Sequence, residues 1–547
     1  MQENLDRTIT RARRDTIGDA LRRSAARSPA KGAVVFGERR WTYAELNAAS
    51  DRVANALLEE GLRKGDRVAA YGKNSDAYVL LWLGCVRAGL IHVPVNFALT
   101  GDELLYILSQ SGSKALFYDP ALVEAVEGVR DEAKAEIHGT LHGGEELDVL
   151  NASQSAEATE PDVDLDEEDV VQLLYTSGTT AAPKGAMLTH RAFMAEYVSC
   201  IEALEHRPDD RALAALPLYH SAQMHVFLMP LLLLGALNFV VAAPDPGECC
   251  EIIERERINS MFAPPTVWIS FLRHPAFDEH DLSSLKKLQY GASIMPVPVL
   301  RELRERLPDP KLYNCYGQSE ISPLATVLRP DELSEERLAS VGRPVLFVET
   351  RVVDPEMNDT LAGETGEIVH RSPQLMTGYW EKPKETGEIV HRSPQLMAGY
   401  WEQPEKTEED FEGGWFHSGD LGYFDDEGYL YVVDRLKDVI NTGGVQVAGR
   451  EVEDALYDHE AVSEVAVIGL PDENWIEAVS AVVVPKEDAD RENLREELEK
   501  HARQKLAGFK VPKHIFFVED LPRNAAGKIL KRELREEFTD KAASRRE

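Results

Sequence analysis

An α/β fold in at least two domains is predicted, and three observations carry it. The chain has 547 residues, more than one compact core accommodates. Helical and extended hydrophobic patterns alternate along its first part, which argues for helices packed on sheets. Beyond Arg435 enough chain remains for one small α+β domain. The expected division is a large N-terminal domain of sheets and packed helices, residues 1–434, and a small C-terminal α+β domain, residues 435–547.

The elements follow in order. Leu46 to Leu58 places Leu46, Val53, Ala54, Leu57 and Leu58 at helical spacing, and Asp66 to Tyr71 follows as a strand. Ala77 to Leu90 is helical again, and Ile91 to Val95 is extended. Ser155 to Asp169 is acidic and reads as an exposed linker before the apolar strand Val170 to Leu174. Phe227 to Ala243 is the strongest apolar run. It is shorter than the roughly 20 residues that cross a bilayer, and Pro230 and Asn238 interrupt it, so a buried helix-to-strand segment is expected. In the C-terminal part Val465–Ile468 and Ala478–Val483 read as strands, and Asp490 to Leu506 as a helix. One stretch, Glu364 to Met376, is repeated unchanged from Glu385, and the likeness continues through Gly378-Tyr379-Trp380-Glu381 and Gly399-Tyr400-Trp401-Glu402. Two copies are too few for a solenoid. A local duplication is expected, with one copy in a strand and the other accommodated as a surface insertion.

Lysine and arginine number 60 and aspartate and glutamate 95, a net charge of −35. Such a surface repels nucleic acid and anionic lipid, which removes both as partners. It suits a protein dissolved in high salt, where screening removes self-repulsion; a merely acidic soluble protein is the alternative. The five cysteines, Cys85, Cys200, Cys249, Cys250 and Cys315, show no C-x-x-C spacing. A reducing, cytoplasmic compartment and no structural zinc are expected. Cys249-Cys250 reads as a redox pair or, more simply, as two buried thiols. The N-terminus has scattered arginines without an apolar core, so no signal peptide is expected.

The chemistry is concentrated in Tyr175-Thr176-Ser177-Gly178-Thr179-Thr180-Ala181-Ala182-Pro183-Lys184-Gly185. Small residues let backbone N–H groups approach phosphate oxygens, hydroxyls donate hydrogen bonds and the lysine supplies charge. The order is not that of a Walker A loop. A plain Ser/Thr/Gly turn is the other reading of this composition. Further along stand Leu216-Pro217-Leu218-Tyr219-His220, Tyr290-Gly291-Ala292-Ser293, Tyr316-Gly317-Gln318-Ser319-Glu320, Trp415-Phe416-His417-Ser418-Gly419-Asp420, Asp434-Arg435-Leu436-Lys437-Asp438 and Pro522 to Lys528.

In this order the seven segments resemble those of the acyl-adenylate-forming, or AMP-binding, superfamily of acyl-CoA synthetases, firefly luciferase and peptide-synthetase adenylation domains. Fatty-acyl-CoA synthetases are the nearest in pattern. The resemblance runs from about Thr42 to Leu534. It implies two half-reactions: a carboxylate and ATP give an acyl-adenylate and pyrophosphate, then CoA displaces AMP. Alignment and charge neutralisation at the α-phosphate suffice for the first, because the nucleophile is already ionised. By this resemblance Thr176, Ser177, Gly178, Thr179, Thr180 and Lys184 hold the β- and γ-phosphates, and Gly291 and Ala292 lie against the adenine with Tyr316. Glu320 ligates Mg²⁺, Ser319 contacts the α-phosphate, Asp420 takes the ribose hydroxyls and Arg435 reaches ribose or phosphate. Lys528 bridges the attacking carboxylate and the α-phosphate; by itself it reads as an exposed lysine. His220 gates the acyl pocket or is a structural histidine. Lys437 is the hinge between the domains, and Gly443 and Gly444 line the CoA tunnel.

The chain departs from the family pattern in four places. Ala181 and Ile476 replace common glycines, Ser319 replaces Thr, and Val445-Gln446-Val447 replaces E-N-[IV]. No Asp follows His220 where amino-acid-activating relatives bind an ammonium group. Gly317 stands where acetate-specific relatives carry a channel-closing Trp, and Ala222, Gln223, Met224, Val226 and Phe227 offer a mostly apolar lining. A medium- to long-chain fatty acid is expected, an aryl acid such as coumarate or benzoate next, and a stand-alone adenylation protein that loads a carrier protein third. The implied partners are the acid, ATP and CoA; the sequence leaves oligomeric state open.

Overall fold

A computed structural model describes residues 9 and 11–543, apart from 145–146, 156–157, 177–182, 294, 381–410, 437, 443–444, 473–475, 487–488, 490–492 and 524–528. Among the described residues four sheets carry the fold. The seven-stranded sheet runs from Gly378–Trp380 through Lys184–Thr189, Val170–Thr176, Ile91–Val95, Arg67–Tyr71 and Ala115–Tyr118 to Ile137–Thr140. The nine-stranded sheet includes Leu324–Leu328, Lys311–Gly317, Lys287–Gly291 and Ser260–Phe262 as neighbours. A four-stranded sheet orders Glu349–Val353, Gly366–Arg371, Phe416–Phe424 and Leu430–Arg435. The last sheet is built from Ile440–Thr442, Val445–Val447, Val462–Asp472, Ile476–Pro485 and His514–Phe517. The fold is therefore the expected α/β arrangement, large N-terminal part and small C-terminal part.

Local chemistry explains the helices between these sheets. Thr42 opens Tyr43–Glu59 with a reciprocal capping box to Glu45, and Ser75 caps Asp76–Ala88. The latter helix is buried on every side, sandwiched in the main core with Trp82, Tyr78 and Leu80. The apolar run after Phe227 forms the expected buried path, a π-helical turn Ala222–Leu228, the helix Met229–Leu234 and the strand Leu237–Val240. Among the described residues no helix is long and apolar enough to cross a membrane. All five cysteines are buried and free, Cys249 and Cys250 included.

Two sequence expectations change in detail. The acidic stretch before Val170 is exposed only in part, because Pro161 and Leu165 are buried and Glu160 pairs with Arg11 and Arg14. The C-terminal helix is Leu494–Lys505, starting later than Asp490. The repeat also acquires a place. Its first copy forms the strand Gly366–Arg371, between Glu349–Val353 and Phe416–Phe424. The same copy then adds Gly378–Trp380 to the edge of Lys184–Thr189. Between the two strands Gln374 is fully buried. Its amide donates to Glu196 and to the Leu324 carbonyl (3.0 Å) and accepts from the Ser199 hydroxyl (2.6 Å). The second copy, 385–405, lies outside the described residues.

Candidate active site

The Ser/Thr/Gly segment is flanked by two strands. Val170–Thr176 and Lys184–Thr189 pair antiparallel, with Thr176 opposite Lys184 and Tyr175 opposite Gly185. Lys184 is thereby fixed at the start of the second strand. A strand on either side also separates this segment from the strand–loop–helix of a Walker A site. Ser177, Gly178, Thr179, Thr180 and Ala181 lie outside the described residues, as do Lys437, Gly443, Gly444 and Lys528.

Two neighbouring parallel strands, Lys287–Gly291 and Lys311–Gly317, end side by side, with Gly291 opposite Cys315. In open α/β sheets the carboxyl ends of strands are where ligands dock. Gly291 has no room for a side chain, since a Cβ there would sit 2.1 Å from the Cys315 carbonyl oxygen. Ala292 then turns the chain at φ 63°, a left-handed conformation. Gly317 has a packing requirement of its own: a Cβ would lie 1.8 Å from the Pro323 carbonyl oxygen. Its glycine therefore follows from contact with the neighbouring strand, before any question of an open channel arises.

Past Gly317 the chain makes a short helical turn, Ser319–Ile321, which buries Glu320 to 9 % exposure. The Ser319 and Ser221 hydroxyls are 3.0 Å apart, so the segment after His220 is drawn onto this turn. His220 itself is half-buried just before the π-helical turn. Of the expected acyl lining, Met224, Val226 and Phe227 are buried, and Phe227 stacks on Phe262 with ring centroids 4.4 Å apart. The Gln223 side-chain oxygen Oε1 accepts from the Leu216 N–H (3.3 Å), so this side chain is spent on the backbone.

Asp420 is held from several sides. It is 5 % exposed and lies opposite Arg435 across two antiparallel strands. The Tyr316 hydroxyl and the Gln318 amide each donate to Asp420 Oδ2 at 2.8 Å, and Arg435 Nε is 3.5 Å from Oδ1. Burial, and then the Asp420 charge, push the Tyr316 phenol well above its ordinary range, so it stays a donor. Behind the aspartate, Glu367 of the first repeat copy accepts from the Gly419 N–H (3.3 Å) and pairs with His417 at 2.8 Å.

Sequence reasoning missed Gln318, Glu367 and the buried Glu196–Gln374 pair. Gln318 occupies a variable position of its motif, and the other contacts join segments far apart in the chain. Across the join between the sheets, Asp434 accepts from the Gly449 N–H (2.7 Å) and Asp438 pairs with Arg535 (2.9 Å). Lys531 meets Glu453 at 2.9 Å beside them.

The family model described as AMP-binding enzyme matches residues 21–380, and the AMP-binding enzyme C-terminal domain matches residues 451–528. The chain belongs to the AMP-binding enzyme family. Within it, this is an enzyme of the AMP-forming acyl-CoA ligase type. It is 38 % identical over 529 residues to a feruloyl-CoA synthase of an Amycolatopsis species, covering 96 % of this chain and 100 % of that protein. It is 34 % identical over 531 residues to the long-chain-fatty-acid–CoA ligase FadD13 of Mycobacterium tuberculosis, covering 96 % and 98 %. Its fold matches the crystal structure of the anthranilate CoA ligase AuaEII in complex with anthranoyl-AMP, with a TM-score of 0.87 at 26 % identity, covering 97 % and 98 %.

Proposed function

We propose that the protein joins an apolar carboxylic acid to CoA through an acyl-adenylate, with an aryl acid as its first substrate class and a medium- to long-chain fatty acid as the second. The observation that carries the nucleotide half is the Asp420 carboxylate held by Tyr316 and Gln318 beside Arg435, next to the Ser319–Ser221 contact. Asp420 takes the ribose hydroxyls and Arg435 the ribose or α-phosphate. Gly291, Ala292 and Tyr316 bound the adenine, and Ser319 faces the α-phosphate. Thr176 to Thr180 and Lys184 hold the outer phosphates. Glu320 supplies the carboxylate for the Mg²⁺ that accompanies ATP. Among the described residues no three His, Cys, Asp or Glu side chains form a metal cage. One carboxylate completed by phosphate and water oxygens is what this cation accepts.

Lys528 neutralises the attacking carboxylate. Residues 435–547 then turn about Lys437 to bring Gly443 and Gly444 to the adenylate for CoA. The aryl class stands first because the relative at 38 % identity is a feruloyl-CoA synthase, ahead of the fatty-acid ligase at 34 %. It also stands first because Gly317 is explained by packing, which withdraws one argument for a long channel. His220 and the buried Val226 and Phe227 form the candidate acyl wall. Pyrophosphate exchange without CoA, then thioester formation with CoA, across ferulate, coumarate, benzoate, octanoate and palmitate, tests the reading. Preference for a fatty acid reverses the order of substrates, and exchange without thioester points to a carrier-loading protein.

A further inference from the structure

Gln318 is fixed at both ends. Its N–H donates to the Pro323 carbonyl (2.9 Å), which locks the backbone against the neighbouring strand. Its side-chain nitrogen lies 2.9 Å from the Ser418 carbonyl and 2.8 Å from Asp420 Oδ2. Both of those atoms can only accept. The amide therefore has one orientation, and its two hydrogens are both spent. The Tyr316 hydroxyl donates to the same Oδ2, so one carboxylate oxygen is saturated by neutral donors. The other, Oδ1, is left toward Arg435. The backbone of Asp420 is restrained as well: its N–H donates to the Ser418 hydroxyl (3.1 Å), which donates onward to the Ile368 carbonyl (2.5 Å). Gln318 is also the residue directly before Ser319, whose hydroxyl meets Ser221. One side chain thus ties the carboxylate to the turn that carries Ser319 and Glu320.

We propose that Gln318 is a positioning residue, which holds Asp420 Oδ2 so that Oδ1 is presented to the ribose hydroxyls of the nucleotide. The proposal rests on the reading that Asp420 binds the ribose. A carboxylate free to rotate about its last bond would have to be ordered on each binding event; one already clamped at Oδ2 is not. The effect belongs in nucleotide affinity and is transmitted only through the ribose contact. Replacing the amide by a carboxylate of the same shape sets an anion against two acceptors and is the more damaging change.

The test is pyrophosphate exchange by wild type, Gln318→Ala, Gln318→Glu and Asp420→Ala, each with ATP, 2′-deoxyATP and 3′-deoxyATP. Gln318→Ala is expected to lower kcat/KM for ATP about tenfold, the size of one hydrogen bond to a charged group, chiefly through KM. Gln318→Glu is expected to lower it further. With at least one deoxy nucleotide the loss in Gln318→Ala is expected to shrink to less than about twofold, because the contact that Gln318 serves is already missing. These are ratios within one variant, so a reduced folded fraction cancels. An equal loss with all three nucleotides in Gln318→Ala, alongside a shrunken loss in Asp420→Ala, overturns the positioning role alone. An equal loss in Asp420→Ala overturns the ribose reading and the proposal with it.

Discussion

Glu196 gives the sharpest quantitative test of how the first repeat copy is seated. Its carboxylate is fully buried. It accepts from the Leu324 N–H (2.9 Å), the Cys200 thiol (3.2 Å) and the Gln374 amide. Burial outweighs these bonds and pushes its pKa from 4.5 up to about 8. Below pH 4.5 folded and unfolded chains both hold the proton, and the neutral group costs nothing further. Between 4.5 and 8 the folded chain keeps a proton that the unfolded chain releases, so stability falls as pH rises. From pH 5 to pH 8 the loss is on the order of 3–4 kcal/mol, at 1.36 kcal/mol for each unit of difference. Glu196→Gln removes this dependence. The glutamine also carries a constant offset, since its own N–H₂ meets the Gln374 amide, but that offset is the same at every pH. The assay is urea unfolding of both proteins at pH 5, 6, 7 and 8, read as the difference between them. The difference should move by about 3–4 kcal/mol in favour of the variant as pH rises. The buried histidines titrate equally in both and drop out. Parallel curves would show that Glu196 is not held neutral in the fold, and the burial argument would fail.

Three further outcomes are expected. Lys528→Ala should abolish pyrophosphate exchange while sparing thioester formation from supplied acyl-AMP, and near-normal exchange removes Lys528 from the first half-reaction. Lys437→Pro should leave exchange intact and depress CoA transfer, because proline fixes φ where the rotation is proposed; equal loss in both assays argues against a hinge. Gln374→Ala should lower stability by about 2–3 kcal/mol by orphaning buried partners, whereas Gln395→Ala, at the matching place of the second copy, should leave the unfolding midpoint unchanged; the reverse pattern assigns the strand to the second copy.

What was legible in the sequence is what is local. The helix Tyr43–Glu59 carries its capping box and its apolar spacing within its own residues. The Thr176–Lys184 segment and the Tyr316–Glu320 motif are likewise contiguous, so each could be recognised from its own residues. The contacts that hold Asp420 are not contiguous: Gln318 and Asp420 are brought together only when the nine-stranded and four-stranded sheets meet. Glu196 and Gln374 join across a still longer interval. The repeat shows the limit most clearly. Residues 364–384 and 385–405 differ only at Thr377/Ala398, Lys382/Gln403 and Lys384/Glu405. Strand alternation is the same in both, so no pattern could choose between them. The first copy reaches its slot through connections that depend on chain position, from the turn at Gly363 into Gly366–Arg371 and on to Gly378–Trp380. Ile476 is the converse case. The sequence shows a β-branched residue where the family commonly has glycine, and the structure supplies the reason: φ there is 66°, on a side chain that is 60 % exposed. A left-handed β-branched residue costs about 1–2 kcal/mol. It opens the strand that pairs with Thr442, immediately before Gly443 and Gly444. The strain therefore borders the glycines proposed to admit CoA, which is where a departure from the family pattern bears on the second half-reaction.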